Sequence, residues 1–378
     1  MVVRRKRRPP FEVLAMPALG ALVFAAHGDA FAAPSKDLGH AWLVPKSAGE
    51  DSSGEERRTV KIRMLFAAAL VAGLLTTCPV SAVAQTTPTV DQARALFARH
   101  DYKGALAILN RVLQIDPKNS RALVMRGDAK DLLGQSQDAL TDYNAAIQIN
   151  PDYAYAYATR CDTKVRLDRY DDAVADCTKS ISLDPNDGFP YRYRSAAYYF
   201  LHNYTAAETD AEKSKSLDPS NPYTLLAMCR AKFGVQKYNE ARDACTNGIA
   251  LDSKSENMYF YRGRSALAQQ LYDAAAADLR KALDLAPDFG SARYWLAVSE
   301  FKGGSYDSAL FDTDAYLLGD PSDADSLLLR ARIDRKRGNA AAASRDAREA
   351  LRQYRIQNDA EGMKSAQAFI DELSNPRP

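Results

Sequence analysis

The stretch RYDDAVADCTKSISLDP, residues 169–185, is echoed sixty-eight residues later by KYNEARDACTNGIALDS, residues 237–253. Sixty-eight is twice 34, and the chain keeps that shorter period elsewhere. Pro117, Pro151, Pro185, Pro219, Pro287 and Pro321 stand in one register, with Ser253 where the missing proline would be. An internal period of 20 to 50 residues marks a chain built from stacked units rather than around one core. A length of 378 residues, too great for one ordinary core, agrees with that.

Two further columns share the period. Twelve residues before the proline position lies an alanine in every unit: Ala105, Ala139, Ala173, Ala207, Ala241, Ala275, Ala309 and Ala343. Twelve residues earlier stands a small residue: Ala93, Gly127, Cys161, Ser195, Cys229, Gly263, Ala297 and Ala331. An aromatic column holds Tyr102, Tyr170, Tyr204, Tyr238, Tyr272 and Tyr306, interrupted by Ser136 and Ala340. Within a unit, Ala139, Leu140, Tyr143, Ala146 and Ile147 fall on one helical stripe. Two such helices joined by a short turn must pack antiparallel, and where their axes approach most closely only small residues fit. The Asp-Pro and Asn-Pro pairs end each second helix, because the residue before proline is driven out of the helical region.

These columns resemble the tetratricopeptide repeat (TPR), a 34-residue helix-turn-helix unit. The resemblance implies an all-α fold: a right-handed α-solenoid of eight units over residues 85–357, the first starting at 86, and a capping helix with a short tail over 358–378. In that last segment Met363, Ala366, Phe369, Ile370 and Leu373 supply an apolar stripe to cover the final exposed face. Departures from the family pattern are Ser253, Arg355 at the end of the last unit, and the general lack of the first-helix tryptophan.

Residues 1–84 hold eleven of the 50 Lys and Arg and seven of the 48 Asp and Glu, which leaves 39 against 41. The body therefore sits at −2, without the basic excess of a nucleic-acid binder. Residues 64–77, MLFAAALVAGLLTT, are too short an apolar run to span a bilayer but match a signal-peptide core, with Lys61 and Arg63 before it and Ala82-Val83-Ala84 behind. We read 60–84 as a signal peptide cleaved after Ala84, with translation starting near Val60, and 1–59 as a disordered upstream extension. A lipid-attachment box ending at Cys78 is the competing reading, weakened by Thr77. Either way the expectation is an exported, periplasmic chain with no stable membrane span once the leader is removed.

Comparison between units substitutes for comparison between proteins. Arg126, Arg160, Arg194, Arg262 and Arg330 precede the small column, and sixteen residues on stand Asp142, Asp176, Asp210, Asp278 and Asp346. The fifth unit lacks both (Met228, Ala244), as does the first (Gln92, Ile108), and only the seventh breaks the rule with Leu296 and Asp312. Joint presence and absence points to an ion pair between a unit's two helices. The same spacing separates Cys161 from Cys177 and Cys229 from Cys245. In an exported chain that favours two disulfides. The alternative, that cysteine is merely a small apolar residue, suits Cys161 and Cys229 but fits Cys177 and Cys245 less well, since Leu109, Tyr143 and Leu279 share their column.

Chemistry is sparse. The mature chain has two histidines, His100 and His202, both at turns and neither at a catalytic or metal-binding spacing, and no phosphate-binding or nucleophile motif is present. The chain reads as no enzyme, with no cofactor and no metal site. The resemblance implies binding of a protein or extended peptide along the inner groove, as a scaffold or assembly factor; a regulatory subunit of an envelope enzyme, or a binder of cell-wall material, is the alternative, and an enzyme in its own right the weakest. Three columns, at −3, +1 and +4 from the small residue, should face that groove. They offer Asp128, Asp131 and Asp162 at an acidic end, then Arg192, Tyr199, Arg230, Phe233, Phe260, Arg264, Tyr294 and Phe301, then Arg332 and Arg335 at a basic end. A peptide with carboxylates near the central arginines and basic residues toward the acidic end would match this order. The competing reading is that the rings only fill a narrow superhelix interior. Lys and Asn in the arrangement of the carboxylate-clamp subfamily are missing.

Overall fold

Every unit reverses direction at a single left-handed residue. These are His100, Gly134, Asp168, His202, Gln236, Gln270, Gly304 and Gly338, each 34 residues from the last, with φ between 54° and 86° across the left-handed positions of the chain. Glycine takes that conformation freely, whereas a side chain there costs roughly 1–2 kcal/mol. His100 and His202 are exposed and accept or donate only locally, their Nδ1 atoms lying 2.9 and 2.7 Å from the hydroxyls of Tyr102 and Tyr204.

The computed structural model describes residues 87–374; the leader, its cleavage point after Ala84 and the upstream 1–59 lie outside the described residues. Those described form seventeen α-helices and no strand. The units pair α1 (Val90–Phe97) with α2 (Tyr102–Ile115), α3 (Ser120–Leu132) with α4 (Ser136–Ile149), and α5 (Ala154–Arg166) with α6 (Tyr170–Leu183). Next come α7 (Gly188–Phe200) with α8 (Tyr204–Leu217), α9 (Pro222–Gly234) with α10 (Tyr238–Leu251), and α11 (Glu256–Ala268) with α12 (Tyr272–Leu285). The last are α13 (Gly290–Lys302) with α14 (Tyr306–Gly319) and α15 (Ala324–Lys336) with α16 (Ala340–Gln357), and α17 (Ala360–Ser374) packs against α16 and α15. This is the stacked all-helical array that the 34-residue period predicts.

The missing proline at Ser253 changes nothing in the backbone. Asp252 is extended (φ −137°, ψ 96°) like its counterparts Asp116 and Asp184, and its Oδ1 accepts from the Lys254 N–H as Asp116 does from Lys118. The side-chain turn, repeated at Asn150, Asp184 and Asp320, fixes the corner with or without proline.

All eight alanines of the alanine column are completely buried. The small column is matched to the residue sixteen positions on. A Cβ on Gly127 would lie 2.5 Å from Tyr143 Cε1, and one on Gly263 would lie 2.9 Å from Leu279 Cγ, so the glycines stand where the partner is large. Cys161 with Cys177 and Cys229 with Cys245 fill the same gap as bonded pairs, their Cα atoms 5.5 and 5.2 Å apart.

Each expected Arg–Asp pair closes through two hydrogen bonds, Nε to Oδ2 and Nη2 to Oδ1, at 2.6–3.2 Å. The third arm reaches the preceding unit, with Nη1 on Asn110, Asn144, Thr178, Thr246 or Asp314. One residue thus holds a unit together and fastens it to its neighbour. In the fifth unit, which lacks the pair, Lys232 is buried among Glu208, Glu212 and Glu240 instead.

Candidate functional site

First helices touch the first helix of the next unit all along the array, while among the described residues no second helix touches another second helix. Elements that meet at every step define the shorter, inner side of a curved stack. The groove is therefore walled by α3, α5, α7, α9, α11, α13 and α15, and the +1, +4 and −3 columns sit at its seams.

Those seams obey a simple rule: the +1 residue of one unit meets the +4 residue of the unit before. Arg230 lies over the rings of Tyr199 and Phe200, at 5.7 and 5.5 Å, and Arg264 over Phe233 at 4.8 Å. Arg264 also lies 3.9 Å from the ring centroid of Trp295 on the following unit, so its guanidinium is held between rings on both sides. Arg192 stacks on Phe189, Tyr193 and Tyr223 at 4.7 to 5.8 Å. At the other end the rule gives Asp162 beside Asp131, with Arg166 bridging both.

An open cavity of about 830 Å³ occupies the groove between the fifth unit and the last helix. Phe233, Arg264, Tyr294, Phe301 and Arg332, five of the residues picked from the sequence, line it together with Trp295, Val298, Lys302 and Tyr354. Its far wall comes from α17 and the turn before it, through Asp359, Glu361, Gly362 and Ser365. Arg332 donates from Nη2 to Ser365 Oγ at 2.9 Å.

The remaining residues lie elsewhere. Tyr199, Arg192 and Arg230 are buried within the first-helix layer. Phe260 is 1% exposed against Phe289, so it is core rather than groove wall, and Trp295 supplies the ring expected there. Arg335 pairs with Glu372 at 2.6 Å and lies over Phe369, which ties it to α17 instead of leaving a basic end open. The acidic end is largely bonded within the array, with Asp162 Oδ1 the one carboxylate oxygen there, among the described residues, that is buried without a hydrogen-bond partner. Asp128 accepts from Tyr143 at 2.8 Å and Tyr155 at 3.4 Å, and Asp131 accepts from Ser136, Thr163 and Arg166. Burial pushes both Asp128 and Asp162 up to about 7. Among the described residues no group of three or more His, Cys, Asp and Glu is placed to hold a metal, and no helix is long and apolar enough to cross a membrane.

Two sequence profiles, both described as tetratricopeptide repeat, match this chain: one over 90–154, 226–288 and 260–326, the other over 154–187. Together they take in more than half of the 378 residues, and the chain belongs to the tetratricopeptide-repeat family. No curated protein matches the sequence. Among solved structures, a chain of the APC/C hetero-tetramer Cut9–Hcn1 superposes with a TM-score of 0.61 at 16% identity, over 75% of this chain and 55% of that one. This chain thus spans about half the length of that relative. Pseudomonas aeruginosa pilF gives 0.48 at 18% identity, over 57% of this chain and 96% of its own, and yeast Tom70 gives 0.43 at 15%, over 74% and 60%. At these identities the first likeness speaks to the fold, an α-solenoid of stacked helix pairs.

Proposed function

We propose that this array is an exported protein-interaction scaffold whose inner groove holds an extended segment of a partner protein between the fifth unit and α17. The observation that carries this reading is the ring-walled cavity of about 830 Å³ on the first-helix side, lined by Phe233, Trp295, Tyr294 and Phe301 with basic groups among them. Aromatic anchors in a concave, partly desolvated site are what a peptide needs to offset the entropy lost on binding. Tetratricopeptide-repeat arrays are generally scaffolds for proteins and peptides rather than enzymes, which supports the same reading.

Export is the second part of the proposal, supported by the apolar run at 64–77 with its small residues at 82–84 and by the paired cysteines. N-terminal sequencing of protein recovered outside the cytoplasm should read Gln85-Thr86-Thr87; a species beginning near Met1, or lipid on Cys78, contradicts it.

The binding test is crosslinked capture from intact cells with Phe233→Ala and Arg264→Glu, both in the cavity wall, made separately. Each should reduce recovery of the partner while the helical melting curve is retained. Unchanged capture by both variants would place the binding face elsewhere.

A further inference from the structure

The seam arginines are not equivalent in charge balance. Arg192 hydrogen-bonds Tyr193, whose ring also serves Asp162, so it shares that carboxylate's field. Arg230 has no such company. It is 5% exposed, its Nε lacks any hydrogen-bond partner, and among the described residues neither it nor Arg264 lies within ion-pair distance of a carboxylate. Lys232, by contrast, has three glutamates, and Arg126, Arg160, Arg194, Arg262 and Arg330 have an aspartate each, whereas the Nε of Arg192, like that of Arg230, is buried without a hydrogen-bond partner.

The Arg264 guanidinium, held between the rings of Phe233 and Trp295, keeps its edge for a fork of two hydrogen bonds to a carboxylate. A buried cation without a counter-charge is costly, and a ligand carboxylate removes that cost when it arrives. Further along the cavity Lys302 and Arg332 add positive charge; of the three carboxylates in its wall Asp325 accepts from Tyr354 at 2.5 Å, Asp359 caps the start of α17, and Glu361 is exposed to solvent on α17. The carboxylates at the opposite end of the groove already share the cation Arg166, with Tyr143 on Asp128 and Thr163 on Asp131, although Asp162 Oδ1 is left without a hydrogen-bond partner.

Resting on the groove-binding reading above, we infer that the partner segment is acidic and aromatic: a carboxylate seats on the edge of Arg264, and an aromatic side chain enters the cavity beside Trp295 and Phe301. Selection is thereby one-signed, unlike the two-ended pattern that the sequence columns suggest.

The test uses fluorescence anisotropy of the full, cell-processed protein with three fluorescein-labelled octapeptides, alternating Glu-Phe, Gln-Phe and Lys-Phe. The Glu-Phe peptide should bind at least tenfold tighter than either of the others, and more weakly as salt rises. Arg264→Gln, at a half-buried position, should cost tenfold or more; exposed Arg348→Gln on α16 should change nothing. Equal affinity for the three peptides, preference for Lys-Phe, no measurable binding, indifference to Arg264→Gln, or tighter binding of a twelve-residue oligothymidylate would each overturn the inference. If Phe301→Ala abolishes capture of the cellular partner while Arg264→Gln leaves it intact, the groove reading stands and the acidic one falls.

Discussion

Arg126 and Asp142, sixteen residues apart, meet through two hydrogen bonds of 2.9 and 2.6 Å, and the aspartate is almost fully buried. Lys130 Nζ reaches the same carboxylate at 2.8 Å, so removing the aspartate strands two half-buried cations. Asp142→Ala should therefore destabilise the array by about 3 kcal/mol. The fifth unit shows the alternative, Met228 with Ala244. Arg126→Met combined with Asp142→Ala should recover part of that loss, Lys130 still lacking its partner, a coupling readable from denaturant melts of the two single variants and the double. Additive losses would mean that the pair does not act as one.

Disulfides within the third and fifth units should show as four cysteines without free thiol in oxidised protein. Reduction should lower stability by roughly 3 kcal/mol per bond for loops of about 15 residues. Both sites are fully buried, so a thiol titration under native conditions must be repeated in denaturant. Four reactive thiols in denatured, unreduced protein contradict the pairing.

In the seventh unit the column arginine is Leu296, and its aspartate, Asp312, faces a second acid, Glu300. Burial pushes Glu300 up to about 7, with Arg280 at 2.5 Å and Arg293 near Asp312 at 3.1 Å providing partial relief. An acid whose folded pKa exceeds its unfolded value of 4.5 stabilises the fold at low pH, and that stability is lost as pH rises through about 7. Asp128 and Asp162 push in the same direction. Glu300→Gln should flatten the fall in melting temperature between pH 5 and 8 and leave the variant the more stable protein at pH 8. An unchanged slope refutes the assignment.

Gln236 holds the left-handed turn of the fifth unit at φ 63° and is exposed. Gln236→Gly should stabilise by roughly 0.5–1 kcal/mol, the strain relieved less the glycine's added unfolded freedom. A destabilised variant would mean the glutamine side chain contributes more than its backbone costs.

Most of the array was legible because its constraints are local and repeat. The alanine and small columns mark a helix contact that every unit must make, and the joint loss of arginine and aspartate in the fifth unit betrays a contact across sixteen residues. The groove was legible only in part. Whether a residue at +1 or +4 faces the groove depends on what the next unit puts across the seam, so Phe260 vanished under Phe289 and Trp295, outside the chosen columns, took its place. Arg335 could not be placed without α17, whose Glu372 and Phe369 claim it. Nor did composition show that Asp128 and Asp131 are bonded internally, because their partners Tyr155 and Arg166 come from the next unit.

The central claim, that a partner protein lies in the groove, is tested most directly by a benzoylphenylalanine photocrosslinker placed at Phe301, in the cavity, and separately at Phe311, which is 71% exposed on the outer helix α14 of the same unit. The account predicts that irradiation of intact cells yields a discrete crosslinked protein from position 301 and none from 311. The same product from 311 alone, or equally from both, would contradict it.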